Sequence, residues 1–331
     1  MNLNRCAPVV LLSTGMSVPT EVLTNKDLEK MVETSDQWIV ERTGIRERHI
    51  ASEGELTSDF AAAAAMEALE AAGVSPEELD MIIVGTNSPD RLFPGVGPIV
   101  QARIGATKAG ACDVQAGCTG CVYGLMLASA GIRAGFWKKV LVVGAEVLSR
   151  IVDWKDRNTC VLFGDGAGAA LLGAGEGEDG VLAAEVHADG SLDDYIELPG
   201  GLIAHPATVE TVEQGLHFVK MKGNEVFKYV NKVIPPFVKD LCSQAGLGVG
   251  DIDAWIFHQA NHRIIEGVLR RLGIPLDKAV VNLQKYGNTS AASVFLALHE
   301  GMAEGKISKG DKVMLVGFGA GMTYGAMIMR I

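Results

Sequence analysis

The chain repeats itself at a fixed distance. AGVSPEELDMIIVG (72 to 85) aligns without gaps on AGLGVGDIDAWIFH (245 to 258), and KVLVVG (139 to 144) aligns on KVMLVG (312 to 317). Both pairs share one offset, close to half of the 331 residues. Two matches at a common offset of that size predict an internal duplication. Its boundary falls in the Gly/Glu-rich GAGEGEDG, between Ala174 and Gly180, giving halves of 1–174 and 175–331.

Each copy reads as a helix, a turn, a buried strand, a helix rich in small residues and a second buried strand. MIIVG, KVLVVG, AWIFH and KVMLVG are apolar on both faces, as strands covered by helices on both sides would be. The predicted class is layered α/β. Reactive groups in such sheets gather outside the carboxyl ends of strands, and His258 stands at that end of AWIFH. The copies differ in one place. The stretch from Gly144 to Gly168 is far longer than the matching stretch from Gly317 to Gly325. The extra loop, AEVLSRIVDWKDRNTC, carries Arg150, Trp154 and Arg157, and serves either a ligand or an interface.

A content of 48% hydrophobic residues supports one large core or two moderate ones. No stretch approaches the roughly 20 apolar residues of a membrane span, and Met1 to Gly15 lacks the pattern of a signal peptide, so a soluble cytoplasmic protein is expected. Cysteines at 6, 112, 118, 121, 160 and 242 are too few and too irregular for a disulfide framework, which makes reduced thiols the default. The net charge of −11 argues against general nucleic-acid binding. It leaves room for an acidic protein partner at a local basic patch.

Three short segments carry candidate chemistry: DVQAGCTG around Cys118, FHQANHRI around His258 and YGNTSAAS around Asn288. A nucleophile, an imidazole and an amide so far apart in sequence meet only if the fold brings three loops together. Val122, Leu125, Met126 and Ile132 recur at helical spacing, with Ser129 on the same face, so Cys118 is expected to open a helix. The macrodipole there would favour thiolate and lower the pKa. Taken alone, Cys118 also fits a buried structural cysteine, His258 a satisfied strand-end histidine, and Asn288 a helix N-cap before TSAASVFLAL. CTGC is a C-x-x-C, but a zinc site needs further ligands, and neither a second C-x-x-C nor an H-x3-H is present. No metal site is expected. A Cys118–Cys121 disulfide switch competes with the reading of Cys121 as an apolar core filler.

The three segments resemble the thiolase-like condensing enzymes, and most closely the β-ketoacyl-acyl carrier protein synthase III family. The likeness extends through TNKDLEKMVETSDQWIVERTGIRERHI, LFGDGAGAALL, HADGS, KGNEVFK and GFGAGMTYGA. It implies a five-layered αβαβα fold of two duplicated halves. It also implies a decarboxylating condensation of an acyl-CoA primer with malonyl-acyl carrier protein, through an acyl-Cys118 intermediate and with no cofactor. His258 and Asn288 would stabilise an enolate, and the backbone N–H groups of Cys118 and Ala320 would form the oxyanion hole. By the same resemblance, Trp38, Arg42, Arg157, Phe227 and Asn261 would bind CoA, and Lys228, Arg263, Arg270 and Arg271 would dock the carrier protein. Phe93 would close the acyl pocket of the partner in a homodimer. No cysteine follows Cys242, which separates the chain from degradative thiolases with a second, C-terminal cysteine. Gly117 and Cys121 depart from the family pattern, where alanine and an aromatic residue are common. Two other readings are a related enzyme of secondary metabolism with a different acceptor, and a scaffold that binds carrier protein without catalysis.

Overall fold

The computed structural model describes residues 8–175 and 179–331; Cys6 and residues 176–178 of the expected boundary lie outside them. Its first sheet contains β1 (Val9–Ser17), β2 (Met81–Gly85), β3 (Gly110–Val114), β4 (Lys139–Glu146) and β5 (Gly166–Ala174), in the order β1-β5-β4-β2-β3. The second contains β6 (Gly180–His187), β7 (Ala254–Phe257), β8 (Lys312–Gly319) and β9 (Thr323–Arg330), in the order β6-β9-β8-β7. The pairings correspond one for one. The first three strands of each list are antiparallel neighbours, and the next, β2 or β7, runs parallel to β4 or β8. Where β3 flanks β2, the second sheet has a single parallel bridge between Trp255 and Ala279.

The duplication extends to individual hydrogen bonds. Asp80 N–H donates to Lys139 O at 3.0 Å, and Asp253 N–H donates to Lys312 O at 2.9 Å. In return, Asp80 Oδ2 accepts the Lys139 N–H at 3.0 Å, and Asp253 Oδ2 accepts the Lys312 N–H at 2.9 Å. Each clip sets the register at the start of a parallel strand pair, and the two clips occupy equivalent positions of the repeat.

Helices fill three layers around the two sheets. Helix α1 (Thr57–Ala72) and residues Val96–Arg103 cover the outer face of the first sheet. Between the sheets lie α2 (Gly120–Arg133) and its counterpart in the second copy, α5 (Ser293–Ala303). Helices α3 (Gly223–Gln244) and α4 (His262–Leu272) cover the far side of the second sheet. The result is αβαβα. Strand side chains alternate between layers as their pleat requires. Ile82, Val84, Leu141 and Val143 enter the outer core, while Ile83, Val140 and Val142 enter the central one. In the second sheet Met314, Val316 and Ile328 face outward, and Leu315, Met327 and Met329 face the centre. That two-sided burial is why these runs lack polar alternation.

The halves are not independent. Leu28, Ile39, Ile45, Leu148, Val152 and Phe163, all from the first half, are buried in the core beneath α3 and α4. Substituting the clips tests the duplicated frame. Asp80→Ala removes acceptors for both the Lys138 and Lys139 N–H groups, and Asp253→Ala removes the acceptor for one. Urea unfolding should show losses of about 2 and about 1 kcal/mol respectively, and equal or absent losses would contradict this accounting.

Candidate active site

Cys118 lies between β3 and α2 and is 9% exposed. Its position differs from expectation by a small but decisive step. Thr119 is the N-cap and Gly120 the first helical residue, so the thiol stands ahead of the first turn. Gly117, at φ +55, passes so close to Ala320 that a Cβ would fall 2.6 Å from the Ala320 nitrogen. Gly319 is as tightly placed, because a Cβ there would meet the Cys118 nitrogen at 2.7 Å and Sγ at 3.0 Å. Glycine at both positions lets the GFGAG backbone reach the sulfur. The N–H groups of Cys118 and Ala320 lie close enough to that sulfur to lower its pKa, and Ser290 Oγ stands 3.2 Å from it.

These donors favour thiolate, yet burial outweighs them and pushes the Cys118 pKa up to about 12. The expected lowering is therefore corrected. Dipole effects fall off within the first turn, whereas desolvation penalises the charge directly. At rest the group is a thiol.

His258 follows β7 and is buried. Its Nδ1 lies 2.7 Å from Ser293 Oγ, which also accepts the Gln259 N–H at 3.2 Å. With the serine hydroxyl as donor to Nδ1, the ring proton is on Nε2. Phe318 packs against the imidazole edge to face, 5.2 Å between centroids. Burial lowers the pKa to about 3, which keeps the ring neutral.

Asn288 is not an N-cap of α5, which begins at Ser293 after Ala292. Its backbone is fixed by Leu162 O and Gly164 N, and its Oδ1 accepts the Ser290 N–H at 2.8 Å. The NH2 end is then the part of the amide available to the pocket. Cys118, His258 and Asn288 line one cavity of about 710 Å³, together with Trp38, Arg42, Phe227, Asn261 and Arg263.

The guanidinium carbons of Arg42 and Arg157 lie 5.6 and 5.3 Å from the Trp38 ring centroid; Trp38 and Arg42 are on the cavity wall, whereas Arg157 stands beside the ring outside the lining. Asn261 caps α4 by accepting the Arg263 N–H and donates to Arg42 O at 3.0 Å, which ties two parts of the wall. Arg263 sits over Phe227 at 5.9 Å. Arg150 and Trp154 do not join them, since they line a separate groove beside Met31.

The basic stripe is narrower than the sequence suggests. Arg263 and Arg270 are exposed, but Glu266 lies between them and pairs with His262 at 3.1 Å. Arg271 donates to Asn231 Oδ1 at 2.7 Å, tying α4 to α3, and Lys228 pairs with Glu225 at 2.8 Å. Phe93 is 80% exposed and does not line the cavity of its own chain. Cys121 is fully buried in the central core with Val122 and Leu125, where it acts as an apolar filler. Among the described residues, no group of His, Cys, Asp and Glu is arranged to hold a metal, and no helix is long and apolar enough to cross a membrane.

Sequence reasoning missed Ser290, Ser293, Asn87 and Glu146. Glu146 did leave a signal, as an acid ending an otherwise buried apolar strand. The electrostatics are directly measurable. Thiolate absorbance lost in Cys118→Ala should not reach half-titration until pH approaches about 12, and the His258 ring should show no NMR titration between about pH 5 and 8. A Cys118 midpoint near the ordinary thiol value of about 8.5 would contradict this account.

Comparison with known proteins agrees with this geometry. The family model described as 3-oxoacyl-acyl-carrier-protein synthase III matches residues 112–190, and its C-terminal model matches residues 242–331. The β-ketoacyl-acyl-carrier-protein synthase III of Caldanaerobacter subterraneus subsp. tengcongensis is 50% identical over 320 residues, 97% of each chain. That of Natranaerobius thermophilus is 50% identical over 323 residues, 97% of this chain and 98% of its own. The crystal structure of 3-oxoacyl-acyl-carrier-protein synthase III from Aquifex aeolicus superposes with a TM-score of 0.90 at 44% identity, covering 98% of this chain and 100% of that one. The corresponding enzyme of Thermus thermophilus gives 0.91 at 43%, covering 97% and 99%. With near-complete coverage at such identity, and the duplicated αβαβα frame already in view, the chain belongs to the β-ketoacyl-acyl-carrier-protein synthase III family of condensing acyltransferases.

Proposed function

We propose that this chain condenses an acyl group from acyl-CoA with malonyl-acyl carrier protein, releasing carbon dioxide, as the initiating step of fatty-acid synthesis. The observation that carries the reading is the meeting of Cys118, His258 and Asn288 on one cavity, with the N–H groups of Cys118 and Ala320 turned to the sulfur. Identity of 50% to the named relatives supports it, against 31% to the priming β-ketosynthase of the R1128 polyketide pathway.

In the first half-reaction the Cys118 sulfur attacks the thioester carbonyl. The tetrahedral oxyanion takes the N–H groups of Cys118 and Ala320, donors already in place before the reaction. CoA leaves. In the second, malonyl-acyl carrier protein enters and loses carbon dioxide, and His258 Nε2–H and the Asn288 NH2 donate to the enolate oxygen. Neutral donors suit this task, because they stabilise the developing charge without titrating. The carbanion attacks acyl-Cys118, and β-ketoacyl-acyl carrier protein departs. Decarboxylation makes the carbanion, so this step needs no strong base.

Trp38, Arg42 and Arg157 are the proposed CoA nucleotide site, with Phe227 and Asn261 along the pantetheine path. Arg263 and Arg270 are proposed to receive the acidic carrier protein; Lys228 and Arg271 are engaged elsewhere and contribute less. Exposed Phe93 is proposed to close the acyl pocket of a second copy in a homodimer.

Intact-protein mass after exposure to acyl-CoAs should show one acyl group, absent in Cys118→Ala; no adduct from any acyl-CoA would overturn the reading. His258→Ala and Asn288→Ala should retain the adduct while losing at least about 100-fold in malonyl decarboxylation, and equal loss of both half-reactions would contradict the division of roles. Arg263→Glu and Arg270→Glu should impair use of malonyl-acyl carrier protein more than acyl-CoA loading, with the difference shrinking at high salt. Equal impairment would assign the stripe to CoA or to folding.

A further inference from the structure

Glu146 ends β4 with no solvent exposure, and the mechanism above does not use it. Its carboxylate collects donors from one loop: Thr86 Oγ1 at 3.4 Å, the Asn87 N–H at 3.0 Å, Asn87 Nδ2 at 2.7 Å, the Ser88 N–H at 3.0 Å and Ser88 Oγ at 2.5 Å. From the other half comes the Ala291 N–H at 3.5 Å, with the Ser290 hydroxyl close enough to lower the carboxyl pKa. All of these partners are neutral. No cation among the described residues offsets the charge, and the titratable group it faces is Cys118.

Ser290 joins the two. Its Oγ lies 3.2 Å from Cys118 Sγ and accepts from Asn87 Nδ2 at 3.2 Å, the same NH2 group that donates to Glu146 Oε1 at 2.7 Å, and its hydroxyl is close enough to lower the Glu146 pKa. Its φ of +47 is a left-handed conformation that a serine adopts only when its surroundings impose it. A backbone outlier thus holds one hydroxyl between a buried thiol and a buried carboxylate.

We propose that Glu146, acting through the Ser290 hydroxyl, accepts the Cys118 proton during acylation. The S–H bond breaks as the thiol proton passes to Ser290 Oγ, and the proton of Ser290 passes to a Glu146 oxygen. Charge moves from carboxylate to sulfur, and the S–H electron pair attacks the thioester. The departing CoA thiolate takes a proton from solvent. Glu146 stays protonated through the acyl-enzyme stage. Condensation releases Cys118 as thiolate, which recovers the stored proton by the same path. The full cycle takes up one solvent proton, as replacing a malonyl carboxylate by a C–C bond and releasing CoA thiol require. Burial also raises the Glu146 pKa, which makes the carboxylate a better proton acceptor than an exposed one.

This inference rests on Cys118 being the acylated nucleophile, and the test separates the two. Single-turnover acylation by acyl-CoA is followed against pH for the wild type, Glu146→Gln and Ser290→Ala. Decarboxylation is then measured on variants acylated to completion. At pH 7 both variants should acylate at least about 100-fold more slowly, with the deficit shrinking as pH rises and hydroxide replaces the relay. The double variant should be no slower than either single, because both residues serve one path. Decarboxylation by the acylated variants should stay within about threefold of wild type, which a merely structural role for Glu146 would not give. If Glu146→Gln fails to fold, Ser290→Ala, which leaves Glu146 and its other donors in place, must show the same pH-rescued loss. Wild-type acylation rates at pH 7, or a pH-independent loss of both half-reactions, would overturn the relay. A wild-type enzyme that never acylates would overturn the reading on which it rests.

Discussion

The structure depends on one close approach, repeated by the duplication: a loop from each half is wedged against a glycine on a central strand of the other. A Cβ on Gly144 of β4 would lie 2.2 Å from Ala291 O, and a Cβ on Gly317 of β8 would lie 3.0 Å from Thr119 Cα. Gly144 and Gly317 are themselves equivalent, each closing its copy of the repeated KVLVVG and KVMLVG strand. The Cys118 loop therefore rests on the second sheet, and the Asn288–Ser290 loop rests on the first. Neither half alone has both walls of the cavity. Helices α2 and α5 start from these loops and fill the central layer, so the core that holds the sheets together also fixes the reactive groups.

Desolvation sets the chemistry of that seam. The same burial that leaves His258 neutral holds Cys118 as a thiol and keeps Glu146 among neutral donors. Apart from the Glu146 carboxylate, a site made this way stores little charge at rest. It offers N–H groups, an imidazole and an amide that gain energy when negative charge appears on substrate oxygen, without reorganising at that moment. The cationic residues stand further out, where Arg42 and Arg157 flank Trp38.

Much of this was legible in the chain. The constant offset between the repeated segments reports the two sheets, and apolar runs without alternation report their two-sided burial. Cys118, His258 and Asn288 were readable from their flanks. Other features were not, for physical reasons. The thiol pKa depends on how completely the second half covers Cys118, which local helix reasoning cannot supply. Ser290 and Glu146 matter through contacts between positions far apart in sequence, Ser290 with Cys118 and Glu146 with Ala291. Arg271 looked like part of a basic stripe until α3 placed Asn231 beneath it. Leu148, Val152 and Phe163 belong to the first half in sequence, yet their insertion packs in the core of the second.

The central claim is that the cavity has two separate electrophilic poles, one for each half-reaction. The most direct test is a crystal structure of the acyl-enzyme trapped in Asn288→Ala. The thioester oxygen should accept both the Cys118 and Ala320 N–H groups at about 2.7–3.1 Å, with the acyl carbonyl turned away from His258. An oxygen bound instead to His258 Nε2, with the Cys118 and Ala320 amides unused, would contradict the account.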